Sequence, residues 1–123
     1  MSRKGAWTDY NKYGARKASC LYGHTHDSKK EADRCNELHV LLRTGFIHNL
    51  RTQVKYTLLP AKKYGHGMKA ERAVVYVADF VYDTNTGVTI VEDTKGYKTK
   101  DYIIKRKMFK DKYCSEQLVF REI

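Results

Sequence analysis

The fold of this chain is decided by two runs of sequence, VVYVADFVY at residues 74–82 and VTIVEDTK at residues 88–95. Both runs are rich in the β-branched and aromatic residues that favour strands. Because strand side chains alternate between two faces, we expect Asp79 to share a face with the valines around it, and Asp93 to share one with Lys95. Buried charges are costly unless they are paired or bind a metal, so the two runs predict a site for a divalent cation and a phosphate.

The remaining sequence predicts helices and further strands around this hairpin. In chain order, the predicted elements are a helix over residues 28–43, extended segments over 46–50 and 52–59, a basic loop over 61–70, the hairpin with its loop at 83–87, a helix over 100–112 and a last strand over 117–123. Ser28 and Glu31 fit a capping box at the first helix, and Gly45 is a natural stop after it. This order predicts an α/β domain with a mixed sheet and helices packed on it.

Each predicted helix has one apolar face. In the first helix that face is formed by Glu31, Cys35, Leu38 and Leu42, and in the second by Ile103, Ile104, Met108 and Phe109. Both sets recur at the helical period. Glu31 is therefore expected at the head of a buried face, where its carboxylate needs a partner.

Size and charge set limits on the class of protein. The 123 residues are enough for one domain with a core and too few for two ordinary domains. The net charge of +10, from 24 Lys+Arg against 14 Asp+Glu, favours a polyanionic partner such as nucleic acid. Residues 1–20 are basic and aromatic without a regular period, and we interpret them as an arm before a nuclease-like domain at 21–123. Arg16 and Lys17 could hold phosphates there; a solvated terminus is the alternative.

The chain shows no sign of a membrane or secreted protein. No apolar run approaches the roughly 18 residues of a membrane span, and the N-terminus lacks the apolar core of a secretion signal. The three cysteines are odd in number, widely spaced and form no C-x-x-C pair, so we expect reduced thiols in the cytoplasm and no structural zinc site. His24 and His26, with Cys20 nearby, could suggest zinc, but no second ligand pair appears, so we interpret them as loop surface.

The acids and the lysine have the chemistry of metal-assisted phosphodiester hydrolysis. Asp79 and Asp93 can supply two oxygen ligands to Mg²⁺, with Mn²⁺ expected to substitute, and Glu31 could give a third or hold a metal-bound water. Lys95 could orient or deprotonate a water, or stabilise charge on the scissile phosphate. Two plainer interpretations stay open: a buried ion pair without substrate, and a Glu31 that only caps its helix.

The pattern resembles the PD-(D/E)xK nuclease superfamily at Ala78-Asp79 followed by Asp93-Thr94-Lys95, with Glu31 in the place of the helix acid that precedes the strand acids. Within that superfamily the chain looks like a group of small phage-encoded proteins that resemble Holliday-junction resolvases in motif order. The stretches that carry this likeness are Lys12-Tyr13-Gly14-Ala15-Arg16-Lys17, Asp27-Ser28-Lys29-Lys30-Glu31-Ala32, Tyr76-Val77-Ala78-Asp79-Phe80-Val81 and Val91-Glu92-Asp93-Thr94-Lys95-Gly96. The likeness covers most of the chain from Lys12 on. Ala78 stands where the superfamily has proline, which is not a ligand.

The resemblance implies a restriction-endonuclease-like αβββαβ core and a divalent-metal-dependent endodeoxyribonuclease. It assigns Asp79 and Asp93 as metal ligands, Lys95 as the catalytic lysine and Glu31 as a helix-borne acid of the metal site. Glu92 competes with Asp93 only if a bulge shifts the strand. The substrate could be branched DNA, a Holliday junction or a flap in recombination or replication, and a junction resolvase would be a homodimer in the host cytoplasm. The alternative is an inactive nucleic-acid-binding module of the same fold.

Four further residues are candidates for nucleic-acid contacts. Gln53 has a phase opposite to its apolar neighbours, and it could face the site or simply face solvent. Tyr102, Lys105 and Arg106 follow the lysine of the site closely on the second helix and could hold backbone phosphates; the ordinary polar face of a helix is the alternative. We expect the acids and the lysine side by side in a pocket open to solvent, with Glu31 close by.

Overall fold

The structure is a computed structural model, and it describes residues 18–23, 25, 26 and 28–123. The chain divides into two compact units at the bond between Leu50 and Arg51. The elements are strands β1 (Ala18–Ser19) and β2 (Thr25–His26), helix α1 (Lys29–Arg43), strands β3 (Ile47–Leu59), β4 (Val74–Thr84) and β5 (Thr89–Asp93), helix α2 (Lys100–Tyr113) and strand β6 (Leu118–Glu122). Arg16 and Lys17 lie outside the described residues, and the domain boundary at residue 20 stays a prediction.

The main sheet has four strands in the order β3-β4-β5-β6. Strands β4 and β5 run antiparallel, whereas β5 and β6 run parallel because α2 connects them. The sheet is therefore mixed, as predicted. From α1 onward the elements follow the predicted order helix, three strands, helix, strand, so the expected α/β fold class is confirmed.

Strand β3 differs from its prediction, because it is one strand of 13 residues and not two short segments. Asn49 and Gln53 lie inside it with positive backbone φ angles of 55° and 52°. Residues in that left-handed region locally break the alternation of side chains along a strand. Strict alternation along the sequence therefore predicts two short segments and not the continuous strand.

The main hydrophobic core of the second unit lies between the sheet and α2. It contains Leu58, Tyr76, Ala78, Val81, Val91, Tyr102 and Phe109. The predicted apolar face of α2 is wrong at Ile103 and Ile104, whose exposed fractions are 41% and 60%. The helix instead turns Tyr102 and Phe109 inward, because hydrogen bonds from this side of α2 to Glu122 fix its rotation.

Helix α1 follows its prediction closely. The Ser28 side chain accepts a hydrogen bond from the Glu31 backbone N–H at 3.1 Å, as an N-cap does. Gly45 takes a φ of 84° just after the helix, which glycine adopts without steric cost. The predicted inward face is confirmed at Glu31, Cys35 and Leu38, which are buried. A short antiparallel pairing of β1 with β2 precedes the helix, so Ala18 and Ser19, predicted as part of an irregular arm, form a strand.

Candidate active site

The β4–β5 hairpin brings the two predicted strand acids together. Phe80 pairs with Glu92 in the antiparallel register, and one further step along that register sets Asp79 opposite Asp93. Side chains directly opposite each other in such a pair have Cβ atoms about 5 Å apart. Lys95 lies two residues beyond Asp93, and its Nζ is 3.3 Å from Asp93 Oδ1. The three groups are therefore adjacent, as the sequence predicts.

The side-chain alternation of β4 changes phase near the site. Strict alternation predicts that Val77 shares a face with Asp79, but Val77 is 37% exposed while Tyr76 and Ala78 are buried. Tyr76 and Ala78 pack in the same cluster as Val81, an odd-numbered position. This change allows Tyr76 and Asp79 both to reach Asp93, because they then project from the same side of the sheet.

Asp79 is held by the residue between the second acid and the lysine. Its Oδ2 accepts hydrogen bonds from the backbone N–H of Thr94 at 2.8 Å and from the Thr94 hydroxyl at 2.9 Å. These bonds to an ionised carboxylate fix its orientation toward the neighbouring strand. Sequence reasoning missed Thr94, which stands in the variable position of the D-x-K motif.

Asp93 is the most deeply buried acid of the site, with no exposed side-chain surface. Burial, and after it the negative charge of Asp79, raise its pKa to about 7 against the opposing effect of Lys95. The Tyr76 hydroxyl donates a hydrogen bond to Asp93 Oδ2. Oδ1 accepts no hydrogen bond among the described residues and has the Lys95 ammonium as its ionic neighbour. Near neutral pH this carboxyl is therefore close to its titration point.

Lys95 is positioned by a network that reaches the last strand. Its Nζ lies 5.1 Å from the centre of the Tyr102 ring, within the range of a cation–π interaction. The Tyr102 hydroxyl donates to Glu122, and Nη1 of Arg106 donates to both oxygens of the same carboxylate at 3.0 and 2.9 Å. Burial alone would raise the pKa of Glu122, but the bonds from Tyr102 and Arg106 outweigh it and lower that pKa.

The expectation of an open pocket is wrong for the two carboxylates. The exposed fraction is 6% for Asp79 and zero for Asp93, whereas the Lys95 side chain is 34% exposed. Tyr76 and Thr94 bond the two acids, and the lysine is the one member of the three with a large exposed fraction. Substrate contact from this conformation therefore begins at Lys95.

Glu92 does not compete for the site. It projects from the opposite face of β5, where the Tyr82 hydroxyl donates to its carboxylate and Arg121 lies 3.8 Å away. Strand β5 keeps regular pairing with both neighbours from Thr89 to Glu92, so no bulge shifts its register. Asp93 is therefore the acid on the side of Asp79 and Lys95.

The candidate nucleic-acid contacts have mixed positions. Gln53 is exposed. Lys105 Nζ lies 3.4 Å from the Asp101 carboxylate on the same helix, and Arg106 is bonded to Glu122. Tyr102 is buried with its hydroxyl on Glu122, so it supports Lys95 and offers no surface hydroxyl to a phosphate.

Glu31 has a buried partner within the first unit. Its Oε2 is 2.8 Å from Nδ1 of His26, and both side chains are almost fully buried. The interpretation of His26 as loop surface is therefore wrong, because the residue lies in β2 and packs against α1. The role of Glu31 as a magnesium-site acid stays a prediction.

The donor set of the second unit fits a hard divalent cation. Two adjacent carboxylates provide oxygen ligands, and Asp93 Oδ1 has unused acceptor capacity toward its neighbours. Their mutual repulsion contributes to the raised pKa of Asp93. A divalent cation between them would offset that repulsion, so Asp79 and Asp93 are the described residues that would hold it.

Fold and site together define an α/β protein whose mixed sheet carries a buried acid pair and a lysine beside its central hairpin. The chain belongs to the family described as "Protein of unknown function (DUF1064)", whose model matches residues 10–121. The searches of curated proteins and of solved structures found no match. Neither described helix combines the length and the apolar character that a bilayer crossing requires.

Proposed function

We propose that this chain is a divalent-metal-dependent endodeoxyribonuclease that hydrolyses phosphodiester bonds. The observation that carries the proposal is the adjacency of Asp79, Asp93 and Lys95 at one side of the hairpin, with Lys95 Nζ 3.3 Å from Asp93. A buried acid whose pKa is raised by burial and by a second acid is typical of functional sites. The net charge of +10 supports a polyanionic substrate.

The residues of the site would have two kinds of role, namely binding the metal or the phosphate and positioning the residues that do so. Asp79 and Asp93 would hold Mg²⁺ or Mn²⁺, and the bound ion would supply Lewis-acid stabilisation of the phosphate and a more acidic water. Thr94 keeps Asp79 in place, while Tyr76 keeps Asp93 in place. Lys95, the exposed member, would bind a non-bridging phosphate oxygen or orient the attacking water.

Because both acids are buried, the proposed reaction requires a conformational change that opens the site to substrate. The Lys95 ammonium is paired with Asp93 and lies over Tyr102, and it is followed by Gly96 in a segment without regular secondary structure. Moving the lysine toward a phosphate would leave Asp93 without its cation. A metal ion between the acids compensates for that loss, so metal and DNA binding should favour each other.

Cleavage assays with matched variants test the proposal. Duplex, single-stranded, flap and four-way-junction DNA are incubated with Mg²⁺ or Mn²⁺. We expect cleavage by the native chain, loss of at least about 100-fold in Asp93→Asn and Lys95→Ala, and near-native rates in Lys30→Ala, which removes an exposed cation of α1. Equal cleavage by the Asp93 or Lys95 variants would refute the assignment.

We further propose that the enzyme prefers branched DNA such as a four-way junction. A resolvase must make two symmetric cuts, so this substrate requires a homodimer. Light scattering with and without four-way-junction DNA measures the mass of the complex. A chain that stays monomeric on the junction contradicts resolution and leaves simple nicking.

One observation favours a second candidate, an inactive nucleic-acid-binding module. The acids are closed off from solvent, while α2 presents exposed lysines at positions 100, 107, 110 and 112. This candidate predicts DNA binding with a steep salt dependence and no cleavage with any metal. Calorimetry separates the two, because only the enzyme should release or absorb heat with Mg²⁺ in a way that Asp79→Asn abolishes.

A further inference from the structure

Three side chains with soft or borderline donor atoms meet in the first unit, on the elements that precede and form α1. Cys20 follows β1, His26 lies in β2 and Cys35 lies on α1, and all three are buried. One ligand atom from each, the two Sγ atoms and a ring nitrogen, lie within 4.8 Å of one another. Chain folding thus assembles a group that the sequence spacing does not reveal.

The size of this triangle is close to that of a zinc site. Zinc binds thiolate sulfur at about 2.3 Å and imidazole nitrogen at about 2.0–2.1 Å, which sets the edges of a tetrahedron at about 3.6 Å. The observed upper limit of 4.8 Å requires a contraction of about 1.2 Å at most. Rotations of the cysteine side chains supply such a movement without a change of the backbone.

A second observation points to the same ligand. Glu31 Oε2 lies 2.8 Å from Nδ1 of His26, and both side chains are almost fully buried. An ionised carboxylate only accepts hydrogen bonds, so Nδ1 carries the proton and Nε2 carries the lone pair. Histidine ligands of zinc have this arrangement, in which a carboxylate fixes the tautomer and the orientation of the ring.

We propose that Cys20, His26 and Cys35 bind one zinc ion, with Glu31 as a positioning residue for His26 and a water in the fourth place. Burial raises the pKa of the Cys35 thiol to about 12 in the absence of a cation, and neighbouring Cys20 contributes to that rise. A bound cation supplies the charge that two buried thiolates need, and two thiol protons leave as it binds. None of the three ligands is among the residues proposed for the nuclease chemistry.

Metal content of the purified full chain gives the first test. The protein is expressed with zinc, kept reduced and analysed by mass spectrometry of the elements. We expect one zinc per chain in the native protein and in Cys114→Ser, which removes the one cysteine outside the group. Cys20→Ser and Cys35→Ser should each weaken zinc binding at least about 10-fold.

Cobalt substitution gives a readout of ligand identity. The Co²⁺ form should show thiolate-to-metal charge-transfer absorption and the strong visible bands of a tetrahedral site, weakened in Cys20→Ser and unchanged in Cys114→Ser. Circular dichroism reports whether each variant is folded. If Cys35→Ser does not fold, because its side chain is buried in α1, Cys20→Ser decides the test, since Cys20 lies outside the helix.

Three results would overturn the proposal. The first is a folded, reduced native chain that takes up no zinc or cobalt. The second is metal binding that Cys20→Ser leaves undiminished. The third is a Cys20–Cys35 disulfide as the form of the purified protein in reducing buffer, measured as one free thiol in the denatured chain where the zinc site predicts three.

Discussion

Replacing Asp93 with asparagine should raise the free energy of unfolding while it removes DNA cleavage. Burial and the charge of Asp79 raise the pKa of Asp93 from 3.8 to about 7. Each pKa unit is about 1.4 kcal/mol, so ionising this acid in the folded state costs roughly 4 kcal/mol. Asparagine keeps an oxygen for the Tyr76 hydroxyl, and the pKa of about 7 already includes the favourable effect of the Lys95 ammonium on the ionised acid.

The stabilisation by Asp93→Asn above neutral pH is therefore about 4 kcal/mol. With an unfolding entropy of about 2.1 cal/mol/K per residue over 123 residues, the melting temperature should rise by roughly 15 °C. Such a gain in stability is expected if position 93 has the proposed catalytic role, because functional residues are often kept at a cost in stability. The same variant should be inactive in the cleavage assay.

The pH dependence gives the sign of the effect. The folded pKa of Asp93 lies above the unfolded value, so the folded chain holds the proton more tightly and native stability falls as pH rises from about 4 to about 7. The advantage of Asp93→Asn should be absent below about pH 4, grow across that window and level off above about pH 7. Glu122 and other acids titrate in both proteins, so the difference between the two proteins isolates Asp93.

Urea denaturation followed by circular dichroism, in buffer with a chelator, measures these differences. Asp111→Asn is the matched control, because it makes the same chemical change at an exposed position of α2 and should alter stability by less than about 0.5 kcal/mol. Equal stability of native and Asp93→Asn proteins at pH 8 would refute the reasoning. So would a difference that does not change with pH.

Three further changes test the contacts around the site. Phe109→Ala, at a fully buried core position, should cost about 3–5 kcal/mol in urea denaturation, and Phe109→Leu clearly less. Glu122→Gln weakens the bonds from Arg106 and should lower the free energy of unfolding by about 1–2 kcal/mol at neutral pH. Because the pKa of Glu122 is lowered in the folded chain, this loss should shrink as pH falls through that pKa. A loss that does not change with pH would contradict this account. Ser28→Ala removes the cap on α1 and should cost about 1 kcal/mol, whereas Ser28→Asp should restore most of it; equal stability of all three would show that the cap contributes nothing.

The features that could be predicted from the sequence are those set by local chemistry. The bounds of α1 follow from Ser28 and Gly45, and both perform the expected roles. The hairpin follows from two β-branched runs around a polar loop that ends in Gly87, which takes a positive φ of 86°. Given the hairpin, the adjacency of Asp79 and Asp93 required only the antiparallel register.

The features that could not be predicted depend on tertiary contacts. The rotation of α2 is set by its bonds to Glu122 on β6, a partner that the helix sequence does not specify. Apolar periodicity gave Ile103 and Ile104 as inward residues because it takes no account of such bonds. The hydrogen bond from Thr94 to Asp79 also depends on a tertiary contact, since it joins two strands across the hairpin.

The cysteine and histidine group shows why spacing is a limited guide to metal sites. Zinc motifs are recognised when ligands come in close pairs, and Cys20, His26 and Cys35 form none. The pairing of β1 with β2 brings the first two together, and the inward face of α1 adds the third. One signal was present, because Cys20 lies close in sequence to the two histidines at 24 and 26, but without a second ligand pair it was interpreted as loop surface.

Selection for stability alone does not explain why the two strand acids are buried side by side. A fold selected only for stability would gain from an uncharged residue at position 93, since burial and the charge of Asp79 both raise the free energy of the ionised carboxyl. The surrounding residues instead orient the acid pair: Tyr76 and Thr94 bond its oxygens, and Lys95 remains at the solvent side. A divalent cation between the two carboxylates, as proposed above, would offset their repulsion. A stable, inactive Asp93→Asn protein would support this account, whereas an unstable one would make the acid a structural ion-pair member.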